Sequence, residues 1–206
     1  MKTINNYTKS VEIIQNSDLS IKGLKTFRGM DGIGVNANLY YKSKKVAFIL
    51  DEGCGGCLDI KWEINRNSEG HYNRTPISIE AEKYIDNLVK SLPKTLWKDV
   101  VEENEDRFSS LSSDSEYTYC EETILNELID YQLRVKDYKK MLNNIVMFDK
   151  DKLVSFKAKK KDLDKMYNTK EGLMSGRRYF TDNHKGIILN DLPQDEAFGY
   201  FDKYLK

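Results

Sequence analysis

Residues 35 to 64 alternate, and that alternation limits the folds open to this chain more than any other feature. Val35, Ala37, Leu39 and Tyr41 are interleaved with Asn36, Asn38 and Tyr40; Val46, Phe48 and Leu50 with Ala47 and Ile49; Leu58, Ile60, Trp62 and Ile64 with Asp59, Lys61 and Glu63. Successive side chains on a strand point to opposite faces, so a run with one polar face is an antiparallel strand resting on a core by its other side. Three such runs, joined by the polar turns 42–45 and 51–57, predict a β-meander, with Leu24–Phe27 as an earlier strand.

The period then changes. Ile79, Tyr84, Ile85, Leu88 and Leu92 recur at helical spacing, and Pro93 ends the run. Leu96, Trp97, Val100 and Val101 predict a short helix. The Ser-rich stretch 109–115 (SSLSSDS) reads as a linker between 1–108 and 116–206, although one continuous domain is equally compatible. Thr118 and Glu121 have capping-box spacing. Behind them Ile124, Leu125, Leu128, Tyr131, Val135, Tyr138 and Leu142 share one face of a helix of about 25 residues, a rod of roughly 38 Å. Its acids come first and its bases last, which complements the helix dipole.

Further on, Ile145–Phe148 and Leu153–Phe156 flank Asp149–Lys152 as a β-hairpin. A short helix is expected at Leu163–Tyr167 and a strand at Ile187–Leu189. A last helix follows, capped by Asp191, with Pro193 in its first turn and Gln194 at the capping-box position; Ala197, Phe198, Phe201 and Leu205 face inward. The class is therefore α+β: an N-terminal antiparallel meander, a helical middle with one long helix, and a C-terminal hairpin and helix.

Charge narrows the partners. The chain carries 33 basic and 33 acidic side chains, so its net charge neither attracts nor mimics nucleic acid. The first residues, MKTINNYTKSVEII, lack an apolar signal core, and no run is long enough to span a membrane. Three cysteines are too few for a disulfide framework. These features together lead us to expect a cytoplasmic protein with reduced thiols and no membrane partner.

The stretch DEGCGGCLDI holds Cys54 and Cys57 in C-x-x-C spacing. A structural zinc needs four ligands, and His71, Cys120 and His184 are scattered with no second paired spacing. A redox pair of the thioredoxin type starts a helix, whereas this pair lies between two expected strands. The three glycines suit a turn, so the reading is a plain turn and no cofactor, with zinc at Cys54, Cys57 and His71 as the alternative. FRGMDGIG (27–34) lacks the Gly-Lys-Ser/Thr and the helix of a phosphate loop. His71 and His184, each beside an acid, are the residues around which an enzyme site would have to form, but no catalytic motif surrounds them. Lys157, Lys159, Lys160 and Lys161, with Arg177 and Arg178 near Tyr179 and Phe180, form the one basic cluster. It is the candidate for nucleic acid or a nucleotide signal, diluted by Asp162, Asp164 and Asp182.

The stretch LKTFRGMDGIGVNANLYYKSKKVAFILDEGCGG (24–56) resembles a pattern in uncharacterised proteins of phages, plasmids and other bacterial mobile elements. Leu24, Phe27, Gly29, Asn36, Ala37, Leu39, Tyr40, Val46, Gly53 and Gly56 carry the resemblance, and ILNDLPQDEA (188–197) adds to it. The resemblance implies a small accessory protein acting in a bacterial host, in the manner of anti-CRISPR-like inhibitors, by binding a host or defence protein. Such a protein needs a surface rather than a catalytic group. Tyr40 and Tyr41, on opposite faces of one strand, are the candidates for that surface.

Overall fold

The computed structural model of the chain describes residues 5–103, 115–150, 152–169, 172–184 and 186–204. It is an α+β fold with two compact units, Met1–Gln132 and Leu133–Lys206. The stretch 109–115 lies outside the described residues except for Ser115.

The first unit opens with helix α1 (Asn6–Gln15), whose N-cap Asn5 accepts the Thr8 N–H at 2.9 Å. The sequence pattern had not marked this helix. Strands β1 (Leu19–Arg28), β2 (Ile33–Tyr41), β3 (Lys44–Asp51) and β4 (Asp59–Trp62) then form an antiparallel sheet in the order β1-β2-β3-β4. This is the expected meander, with β1 longer than Leu24–Phe27. Val35, Ala37, Leu39 and Tyr41 are buried, as their alternation requires.

The alternation misleads in β3. Leu39 pairs with Ala47 but Tyr40 pairs with Lys45, so Val46 is an extra residue. This bulge shifts the phase of the strand, and Val46, Ala47 and Ile49 are all buried while Phe48 and Leu50 turn to the outer face. Ile64 is also not a core residue: it is 52% exposed. After the Glu63 N–H bonds Val46 O at 2.8 Å, the chain leaves the sheet for a small hairpin, β5 (Ile64–Arg66) with β6 (Tyr72–Arg74).

Helix α2 (Pro76–Ser91) covers the inner face of the sheet. Thr75 caps it, Pro76 occupies its first position, and Ser78, Ala81, Ile85 and Leu88 are buried. The fully buried Ser78 hydroxyl donates to Val46 O at 2.9 Å, and Tyr41 packs on Tyr84 at 5.0 Å between ring centroids. Ile79, by contrast, is 39% exposed. A two-residue ladder, β7 (Thr95–Leu96) with β8 (Glu116–Tyr117), flanks α3 (Trp97–Glu103).

Helix α4 (Glu121–Met141) is the long helix, and it crosses from the first unit into the second. Thr118 and Glu121 do not form the expected capping box. The strand pairing at Glu116–Tyr117 delays the helix until Glu121, and the N3 residue becomes Thr123, whose hydroxyl accepts the Cys120 N–H at 2.7 Å.

In the second unit β9 (Ile145–Asp149) lies between β10 (Lys152–Phe156) and β13 (Ile187–Ile188). A central strand is covered on both sides, which is why Ile145–Met147 is continuously apolar. Val146 joins Tyr138, Leu189, Ala197 and Phe201 on one side; Ile145 and Met147 join Leu163, Phe180 and Ile188 on the other. Asn190 binds this core together: its Oδ1 accepts the Val146 N–H at 2.7 Å, and its Nδ2 donates to Leu142 O at 3.1 Å and Asn144 O at 2.9 Å.

Two expectations fail in this unit. Leu163–Tyr167 is not a helix. Asp162 accepts the Lys159 N–H at 2.8 Å and closes a single 3-10 turn, Lys160–Asp162. Leu163 is then buried, and Met166–Thr169 becomes strand β11, paired with β12 (Gly172–Ser175). Helix α5 (Gly176–His184) follows. Nor does Asp191 cap the last helix, α6 (Gln194–Tyr204). Pro193 forces Leu192 to be extended, so the helix starts later, with the Ala197 N–H bonded to Pro193 O at 3.0 Å. Ala197 and Phe201 are buried and Phe198 is half-buried, while Leu205 lies outside the described residues.

Candidate functional site

The glycines of 27–34 and 51–56 serve one local purpose. Residues 29–32 turn the β1–β2 hairpin, closed by the Gly29 N–H on Gly32 O at 2.8 Å. The β3–β4 loop nests against that turn. Its Gly53 O accepts the Asp31 N–H at 3.0 Å, and its Gly53 N–H bonds the Asp51 carboxylate at 2.8 Å. A Cβ on Gly29 would lie 2.3 Å from Glu52 O, and one on Gly53 2.6 Å from Gly34 N. Gly53 also has φ +66°, a left-handed conformation that suits glycine. Backbone therefore packs on backbone, and only glycine permits it.

This nest holds up an apolar tip. Met30 is 92% exposed and Ile33 71%, with Phe27 beside them at 38%. Between the two loops runs an open groove of about 570 Å³ lined by Phe27, Arg28, Gly29, Met30, Leu50 and Glu52. A single exposed apolar residue on a surface is ordinary; Met30 and Ile33, both largely exposed at one well-braced hairpin end next to a groove, form a candidate docking surface.

The sequence-predicted residues are distributed as follows. Cys54 and Cys57 are exposed in the β3–β4 loop, where Gly53 and Gly55 have positive φ. His71 is exposed in the β5–β6 turn with Nδ1 3.6 Å from Glu69. Cys120 is exposed at the start of α4, and His184 ends α5 in the other unit. Among the described residues, no three His, Cys, Asp or Glu side chains gather to hold a metal.

Lys157, Lys159, Lys160 and Lys161 are exposed around the 3-10 turn of the second unit. Several neighbouring charges are engaged internally. Lys160 donates to Asn190 O at 2.7 Å, Arg177 pairs with Asp191 and with Asp164, and Arg178 meets Asp182 at 3.0 Å. The Lys165 ammonium and the Lys159 N–H hold the Asp162 carboxyl below its ordinary range. Acid thus interleaves with base across this segment.

Tyr40 lies on the outer face of the sheet with Lys22 Nζ 4.5 Å above its ring. Tyr41 does not serve a docking surface. It is 3% exposed on the inner face, and its hydroxyl donates to Glu80 at 3.2 Å. The same Glu80 pairs with Lys42, whose hydrogen bond holds the carboxyl low. Met30 and Ile33 are the residues that the sequence pattern does not single out. Their signal was present: a Met and an Ile set among glycines in a turn have no core to fill.

The chain matches no protein-family model, no curated protein and no solved structure. Among the described residues, no helix is long and apolar enough to cross a membrane.

Proposed function

We propose that this chain is a binding protein that docks a partner protein through the tip of its β1–β2 hairpin. The observation that carries the reading is the exposure of Met30 and Ile33 on a turn braced by close glycine packing. A braced turn loses little conformational freedom on binding, so the apolar contact is not spent on ordering the loop. The mobile-element resemblance of residues 24–56 includes this tip, and it directs the search to components of bacterial defence in the cytoplasm of the host, where the protein would act as an inhibitor by occlusion.

The test is affinity capture of tagged protein from bacterial lysate, comparing the native chain with Met30→Asp/Ile33→Asp. Burying each of these side chains is worth about 1.5–3 kcal/mol, so the double variant loses at least about 100-fold in affinity. A stoichiometric protein captured by the native chain and lost by the variant supports the proposal. A partner retained in full by the variant refutes it.

A further inference from the structure

The four-stranded sheet has a second face, away from α2. Val35, Ala37, Leu39 and Tyr41 point into the core, so Asn36, Asn38 and Tyr40 point outward. Register extends this face across the neighbours. Lys22 stands opposite Asn38, Asn38 opposite Phe48, and Phe48 opposite Lys61, one row over four strands. In the next row Lys25 stands opposite Asn36.

Lys22 and Lys25 are three residues apart and would lie on opposite faces of a regular strand. A bulge at Gly23 and Leu24, where Gly23 has φ +66°, brings Lys25 back to the side of Lys22. Beyond them Phe27 lies over Gly34: a Cβ there would sit 2.4 Å from the ring, so one face of the phenyl rests on backbone. The residue remains 38% exposed, along the groove it lines. Asn36, Asn38, Tyr40 and Phe48 are half-exposed.

The charge is one-sided. β1 and β2 place Lys22 and Lys25 on this face and carry not one acidic residue, while Arg28 stands opposite Ile33 on the other face. The acids of this face lie toward β4 and are already paired, Asp59 with Lys61 at 3.1 Å and Glu63 with Lys45 at 2.6 Å. Glu52 stands at the groove beyond Phe27.

We propose that the outer face of β1 and β2 binds single-stranded nucleic acid. Antiparallel sheets with exposed aromatics take single strands by stacking bases on the rings while cations follow the phosphates. Phe27 supplies the stacking surface, Asn36 and Asn38 face base edges with donors and acceptors, and Lys22 and Lys25 meet phosphates. An acid-free pair of strands suits a polyanion, and an open ring beside two amides suits a base better than it suits a protein carboxylate. Duplex, whose bases are stacked internally, gains nothing from the ring. This site borders the partner-docking tip at Phe27 and does not use Met30 or Ile33.

The experiment is fluorescence anisotropy of the full chain with a labelled oligo(dT) strand, against duplex of matched length, over a range of salt. The expected result is binding of the single strand in preference to duplex. Neutralising two phosphates gives a slope of log K against log salt of about −1.4. Lys22→Gln/Lys25→Gln weakens binding about ten-fold or more at low salt and flattens that slope. Both lysines are exposed, and an unchanged urea transition confirms that the variant is folded. Met30→Ser/Ile33→Ser, which removes the apolar tip without adding charge, leaves the single-strand affinity unchanged, which separates this site from the tip. No binding at low salt overturns the proposal. So does binding that survives Lys22→Gln/Lys25→Gln but falls with Lys157→Gln/Lys161→Gln. A protein partner lost by Lys22→Gln/Lys25→Gln, with no oligo(dT) binding, assigns the face to protein instead.

Discussion

Replacing Gly53 with alanine tests the glycine nest directly. The new Cβ would stand 2.6 Å from Gly34 N, 2.9 Å from Ile33 C and 3.0 Å from Gly34 Cα. All three are backbone atoms, so no side chain can swing aside. The loop must withdraw, and the bond from the Asp31 N–H to Gly53 O breaks with it. Left-handed strain costs about 1–2 kcal/mol, the hydrogen bond about 1 kcal/mol, and the crowding about 1–3 kcal/mol. The sum is about 3–6 kcal/mol, with the cost of opening the nest locally as the upper limit. Gly55 is the control. Its φ is +77° but nothing lies within 4 Å of its Cβ position, so Gly55→Ala pays the strain alone. Urea unfolding followed by tryptophan fluorescence reads this unit selectively, because both tryptophans, Trp62 and Trp97, belong to it. Hydrogen exchange at the Asp31 amide reads the nest itself. Equal stabilities of the two variants, within about 0.5 kcal/mol, together with unchanged protection at Asp31, would refute the packing argument.

Two further outcomes follow from a buried and a half-buried polar group. Asn190→Leu strands the Val146 N–H and the Leu142 and Asn144 carbonyls, at a cost of about 3–5 kcal/mol, seen as lost hydrogen-exchange protection across β9. Burial, then the charges of Glu127, Tyr119 and Cys120, push the Tyr117 phenol up to about 12. An unfolded tyrosine ionises near pH 10, so this group's contribution to stability is complete below about pH 10 and declines as pH rises through about 12. Tyr117→Phe therefore flattens the fall in urea stability over that window.

The meander and the long helix were legible because each buries a single continuous face, and one face leaves one period in the sequence; the β9–β10 hairpin was legible as two apolar runs about a charged turn. Reading failed wherever a local event changed the phase. Val46 and Ala47 are both buried because a bulge intervenes, and bulges have no period. Asp191 has the chemistry of a cap but the wrong place, since Pro193 delays the helix by its effect on Leu192. Thr118 fails for a related reason: strand pairing with Thr95 and Leu96 holds the preceding residues extended. In each case a contact distant in sequence, or a neighbour's backbone restriction, overrides a short motif.

The same reasoning explains why the candidate sites were harder to see than the fold. Read alone, FRGMDGIG looks like a phosphate loop without its Gly-Lys-Ser/Thr and helix, and DEGCGG like a metal knuckle without its other ligands. Their glycines are needed by one another. Gly29 meets Glu52 and Gly53, and Gly53 meets Gly34, across some twenty residues of chain. Lys22 and Lys25 present the parallel case. Their spacing places them on opposite faces until the Gly23 bulge is known, and only then do both lysines share a face with Phe27. A glycine in a strand or turn is thus a statement about a second segment. The sequence shows that something must come close, and the pairing shows what does.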